Sequence, residues 1–201
     1  RQLGQAYDVS KLPPECFGAY QSPELTRAAN QYIAQVSALA PREAQRIVNK
    51  ALGNERLIGL LSRLFPSTRI IHTRRDPRDV AVSCYLGGFN NRTFSWTTKL
   101  EWIAHAQLQS TRMMQFWSDT LEIPIMDVQY EDLVQSPATE MPRLIEFIGL
   151  DWNDACTTFH ESRRTVRTLS YDQVNKPLYS TSIDRWKHYE SHLQGVDWPD
   201  S

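Results

Sequence analysis

Residues 68–86, TRIIHTRRDPRDVAVSCYL, do more than any other stretch to limit the folds open to this chain. The β-branched run 68–74 is bounded by Pro66 and Pro77 and reads as a strand. Asp76-Pro77 is a helix start: a short carboxylate placed to cap, then a ring that presets φ and needs no backbone N–H. Val80, Ala81, Cys84 and Tyr85 then fall on one helical face. A strand that passes into a helix within two residues is one half of a crossover unit, and crossover units build parallel sheets.

The flanking segments extend this pattern. Ser22 as N-cap, Pro23, and apolar residues at Leu25, Ala29, Tyr32, Ile33, Val36 and Leu39 predict a helix that ends before Pro41. QRIVNK, residues 45–50, reads as a buried strand with Lys50 at its carboxyl end, and residues 57–65 as the next helix. A long helix from about Trp96 to Trp117, a strand over 123–130 and a helix from Ser136-Pro137 to Gly149 follow. From Asp151 the chain reads as a short helix and then an irregular, aromatic and basic segment that closes the domain. The expectation is one α/β domain over 1–201, a parallel sheet flanked by helices, with ligands bound outside the carboxyl ends of the strands.

Composition narrows the function. A formal net charge of −1 excludes a general polyanion binder such as a nucleic-acid module, so any anion site has to be local. Three cysteines without a CxxC pair give no disulfide framework, and no apolar stretch approaches the roughly 20 residues of a membrane span, which together predict a cytoplasmic chain. The five histidines show no HExxH or clustered spacing, so no metal is expected. No GxxxxGK[ST] is present, which argues against a P-loop kinase.

Local positive charge sits where the strand at 68–74 meets its helix. An anion at a helix N-terminus gains N–H bonds and the helix field, and an arginine adds a bidentate fork. Arg75 and Ser83, a hydroxyl two helical turns past Asp76, could grip such an anion. From the residues alone a solvated cap is the favoured reading, with Arg75 paired to Asp76 or Asp79 and Ser83 merely small, since short charged clusters at helix starts are usually solvated.

The segment from Arg75 to Ser83, RDPRDVAVS, resembles the 3′-phosphate-binding motif of sulfotransferases that use 3′-phosphoadenosine 5′-phosphosulfate (PAPS). VNKALGN (48–54), YEDLV (130–134) and SYDQVNKPLYSTSIDRW (170–186) are similar, in the same order, to segments of the tyrosyl-protein and bacterial tetratricopeptide-repeat branches. The resemblance implies a P-loop-like sulfotransferase fold and transfer of a sulfuryl group from PAPS, leaving 3′-phosphoadenosine 5′-phosphate (PAP), to an acceptor hydroxyl. It implies catalytic roles for Lys50, against the departing bridging oxygen, and for Ser170, near the sulfate. Arg75, Ser83, Tyr130, Lys176 and Arg185 are implied as donor-binding residues. Peptide tyrosine, saccharides and small molecules are all open as acceptors, and oligomeric state is unassigned.

The pattern also departs from the family. The 49 residues before Lys50 hold only Gly4 and Gly18, neither in a serine- or threonine-rich loop after a strand, so the phosphosulfate loop and the general base that follows it are missing. The expectation is a domain incomplete at its N-terminus. The alternative is a non-catalytic module that binds 3′-phosphoadenosine or a partner protein.

Overall fold

The computed structural model describes residues 22–87, 89, 92–161 and 176–200. Its helices are α1 (Ser22–Ser37), α2 (Ile58–Leu64), α3 (Pro77–Leu86), α4 (Leu100–Thr120), α5 (Tyr130–Gln135), α6 (Pro137–Phe147) and α7 (Glu190–Leu193). Two strands, β1 (Ile70–Arg74) and β2 (Ile125–Gln129), pair in parallel with register from Ile70↔Ile125 to Arg74↔Gln129. A parallel pair needs a long return path, and α3 and α4 lie between β1 and β2 in the chain. The observed fold is thus α/β with a small parallel sheet, as the strand-to-helix pattern predicts.

The chain divides into two compact units. The first comprises residues up to Thr68 together with Met113–Pro124. Leu25 and Ala29 of α1, Ile58 and Leu60 of α2, and Met114 are buried there. The Tyr32 ring packs on Phe65 at 5.5 Å, and the Tyr32 hydroxyl accepts a 2.8 Å hydrogen bond from the Asn49 side-chain amide. Asn54 in turn donates to Asn49 Oδ1 at 3.1 Å.

In this unit the sequence expectation fails at 45–50. The segment is irregular, and among the described residues no strand pairs with it. Ile47 is 44% exposed and Val48 82%, so neither apolar side chain of the run faces a core. A short apolar run has no period of its own, and whether it becomes a strand depends on finding a neighbour for its backbone N–H and C=O groups. Here a side-chain bond from Asn49 ties the segment down instead of a backbone ladder. Lys50 therefore ends no strand; it stands exposed in irregular backbone.

The second unit comprises Arg69–Arg112 and Ile125–Ser201. Ile103 and Val128 are almost fully buried, with Ala81, Val82, Ala104 and Met126 around them. Burying each of the two larger side chains contributes roughly 1.5–3 kcal/mol. Asp76 caps α3 as expected, its carboxylate accepting from Arg78 N at 2.8 Å with Pro77 at the first helical position. Ser136 holds the corresponding place before Pro137 at α6, but its hydroxyl makes no capping bond, so the proline alone marks that start.

Gly59 provides a test of packing in the first unit. A Cβ there would lie 2.7 Å from Cη2 of Trp117, whose indole Nε1 is fixed by donating to the Glu55 carbonyl at 2.7 Å. Alanine gains up to about 1 kcal/mol of helix propensity, whereas overpacking against an anchored ring costs typically 1–3 kcal/mol. Gly59→Ala should therefore lower the urea midpoint; a raised midpoint would show that the Trp117 ring gives way.

Candidate functional site

Parallel strands end on the same side, so the residues that follow β1 and β2 meet at the carboxyl edge of the sheet. Arg75 and Asp76 leave β1, and Tyr130 and Glu131 leave β2 as the first residues of α5. The Arg75 guanidinium carbon lies 4.8 Å from the centroid of the Tyr130 ring, a cation–π approach. Its Nη2 donates to the Ser182 carbonyl at 2.5 Å and lies 3.7 Å from Asp79 Oδ2. Arg75 Nε is buried with no hydrogen-bond partner among the described residues. Buried donors without an acceptor are rare, which makes this atom a candidate for a ligand oxygen.

Asp79 is the centre of the cluster. It is 2% exposed, and its two oxygens accept the backbone N–H groups of Asp184 (2.9 Å) and Trp186 (2.8 Å). These bonds bring the turn Arg185–Tyr189 against the start of α3. Arg78 reaches the same turn, its guanidinium 3.5 Å from the Trp186 ring while Nε and Nη2 hold both oxygens of Asp76.

The N-terminus of α3 offers fewer free donors than its sequence suggests. Asp76 N donates to Glu131 Oε1 at 3.0 Å, Arg78 N is taken by the Asp76 cap, and Pro77 has no N–H. Glu131 is itself oriented by Gln129, and the Gln107 side chain binds the Pro77 carbonyl at 3.1 Å. An anion here must be held by side chains more than by the helix end.

Ser83 is exposed on α3, one turn past Asp79 and two past Asp76. Arg75, Ser83, Tyr130, Lys176 and Arg185 all belong to the second unit. Lys176 is exposed in irregular chain, and Arg185 opens its turn between the two amides that Asp79 holds. Lys50 belongs to the first unit, and Ser170 lies outside the described residues. The cap pairing that the residues left open is present as well: Arg75 pairs with Asp79 and Arg78 with Asp76.

Three contributors were not singled out by sequence: Glu131, Trp186, and Asp79 as a binder of backbone. Glu131 and Trp186 sit inside segments that carry the family resemblance, but their partners are 55 and 107 residues away in sequence. For Asp79 the only local signal is its spacing of four from Arg75. His72, set within β1, pairs with Asp127 across the sheet at 2.8 Å. Among the described residues no group of three metal-ligating side chains forms, and no helix is long and apolar enough to cross a membrane.

Two shifted groups report the local field. Burial alone would raise the Asp76 carboxyl, but hydrogen bonds from the Arg78 side chain and backbone, with the guanidinium charge, hold it below the usual carboxylate range. Burial pushes the Cys84 thiol up, against the opposing charge of Arg75.

Residues 2–154 match the model of the sulfotransferase family. An uncharacterized protein of Aquifex aeolicus is 32% identical over 193 residues, which cover 94% of this chain and 25% of that protein. Protein-tyrosine sulfotransferase 2 of Gallus gallus is 25% identical over 184 residues (81% of this chain, 46% of that protein), and protein-tyrosine sulfotransferase A of Caenorhabditis elegans 24% over 174 (81% and 44%). The chain thus spans between a quarter and under half of the length of these curated relatives. In fold it is similar to the sulfotransferase domain from the curacin biosynthetic pathway, with a TM-score of 0.59 at 17% identity, covering 85% of this chain and 69% of that one.

Because the folded Asp76 carboxyl ionises more readily than an unfolded one, its contribution is complete above the unfolded pKa and is lost as pH falls through the lower, folded value. Asp76→Ala removes a cap worth about 0.5–2 kcal/mol. The difference in urea midpoint from wild type should be flat above the ordinary carboxylate pKa of about 4 and shrink below it. A difference that persists undiminished to roughly pH 2, well under that ordinary carboxylate value, would show that the ionised carboxylate is not the cap.

Proposed function

Since this chain belongs to the sulfotransferase family, we propose that its second unit binds the 3′-phosphoadenosine end of PAPS at the carboxyl edge of the parallel pair. The observation that carries this reading is Arg75: it follows β1 directly, lies over Tyr130 where β2 ends, and keeps Nε buried without a partner among the described residues. That orphan donor suits a phosphate oxygen, and with the N–H groups at the start of α3 already committed, Arg75 and Ser83 are the side chains proposed to grip it. Tyr130 supports the guanidinium by its ring face and borders the nucleotide. Lys176 and Arg185 add positive charge from the C-terminal segment.

The donor supplies an SO3 unit that passes to a nucleophilic hydroxyl while negative charge builds on the bridging oxygen left behind. By analogy with phosphoryl transfer, positioning and charge stabilisation carry such a step. Lys50 is proposed to meet that charge and Ser170 to contact the donor near its sulfate; both assignments rest on the motif resemblance alone. The names of the two protein-tyrosine relatives make peptide tyrosine the first acceptor to try, ahead of saccharides and small hydroxyl compounds. Fold and donor chemistry do not by themselves set the acceptor.

A second reading is a module that binds 3′-phosphoadenosine without catalysing transfer. The exposed, irregular setting of Lys50 favours it. Turnover of PAPS with a tyrosine peptide separates the two readings, since only the first requires it.

Calorimetric titration tests the donor site. The chain should bind PAP in clear preference to 5′-AMP. Arg75→Ala should weaken PAP binding by about 10- to 100-fold, the cost of about 1.5–3 kcal/mol for a lost charge-assisted hydrogen bond. Equal binding of the two nucleotides, or an unaffected variant, would reduce the arginine cluster to a helix cap.

A further inference from the structure

We infer that Asp79 is the positioning residue of this site: its carboxylate fastens the Ser182–Trp186 segment to the start of α3 and thereby sets the direction of Arg75 and the place of Arg185. The inference rests on the donor reading above and extends it to a residue that would not itself touch the nucleotide.

A carboxylate as buried as Asp79 is costly unless its oxygens are hydrogen-bonded. Each oxygen here accepts one backbone N–H, from Asp184 and from Trp186, and Arg75 supplies positive charge at 3.7 Å. The two amides converge because Asp184 adopts a left-handed backbone, φ 61°, while Arg185 opens a helical turn. Successive N–H groups around a left-handed residue form a concavity suited to an anion, and Asp79 fills it. Arg185 lies between the two clamped residues, so its backbone is placed by Asp79 while its side chain stays exposed.

The same carboxylate acts on Arg75 from the other side. Nη2 of Arg75 donates to the carbonyl of Ser182, two residues before the first clamped amide. Asp79, the Ser182 carbonyl and the Tyr130 face together bracket the guanidinium, leaving Nε buried without a partner among the described residues. Replacing Asp79 would release the segment that supplies that carbonyl and remove the charge that holds the fork. Neither asparagine nor alanine substitutes, because the clamp needs two acceptors and asparagine turns an NH2 toward one of the two amides.

The test compares wild type, Asp79→Asn and Asp184→Pro as full 201-residue chains, with PAP and 5′-AMP as probes and backbone hydrogen exchange as a second readout. Asp184→Pro attacks the clamp from its exposed side, since proline lacks the N–H that Asp79 accepts and its φ cannot reach a left-handed value. Both variants should bind PAP about 10- to 100-fold more weakly, as expected for loss of hydrogen bonds to a charged group, with 5′-AMP binding unchanged. In Asp79→Asn the amides of Asp184 and Trp186 should also exchange faster. A merely structural role would weaken both nucleotides alike, and that result would overturn the inference. So would full PAP affinity in both variants, or unchanged protection at 184 and 186 in Asp79→Asn. If Asp79→Asn fails to fold by circular dichroism, Asp184→Pro decides. A wild-type chain with no preference for the 3′-phosphate overturns the donor reading and the positioning role with it, and does so before any variant is compared.

Discussion

The second unit depends on a buried carboxylate that binds backbone. Asp79 lies in the first turn of α3, yet its oxygens are committed to amides more than a hundred residues further along the chain. Taking an ionised group out of water is tolerated only when its lone pairs are matched, and two N–H groups with a neighbouring guanidinium do so. Because those amides are main-chain, the bond holds the course of the C-terminal segment as well as one side chain. The turn Arg185–Tyr189, the seat of Trp186 beneath Arg78, and the carbonyl that receives Arg75 all follow from it.

Around this clamp charges are paired in short range. Asp76 caps α3 and receives both guanidinium arms of Arg78, while Glu131 takes the Asp76 amide and joins the end of β2 to the start of α3. Five charged side chains within two strand ends would repel or desolvate badly if each stood alone; Arg75 pairs with Asp79 and Arg78 with Asp76, Glu131 accepts from the Asp76 N–H and the Gln129 amide, and one buried guanidinium nitrogen has no partner among the described residues. Arg75 is thereby the arginine of the cluster that keeps a buried nitrogen without a partner among the described residues, in a chain whose net charge is close to zero.

Family membership and geometry bear on different links of the argument. The match over residues 2–154 shows membership of the sulfotransferase family, and the likeness to the curacin-pathway domain shows the α/β architecture. Donor, acceptor and residue roles lie beyond what a shared fold can give, because the same scaffold serves different substrates through its loops. In the proposed donor reading, the bonds that Arg75 makes, and the Nε left without one among the described residues, are what connect fold to chemistry.

Much of this was legible in the residues. The β-branched run before Asp76-Pro77 predicts β1, the cap and the start of α3, because strand propensity, a carboxylate cap and a proline at the first helical position are all local rules. The placing of Arg75 and Tyr130 at strand ends follows from the same logic. The apolar run at 45–50 was misread, since a run of that length is a strand only if a neighbour accepts its ladder, and the chain settles Asn49 on Tyr32 instead. Pairing of β1 with β2, burial of Asp79, the spent donors at the start of α3 and the seat of Trp186 were decided by tertiary structure alone. Sequence determines where an element starts and which side chains leave it, since those depend on neighbours a few residues away; which groups are desolvated together, and which donor is left without a partner, depends on segments that meet only when the chain is folded.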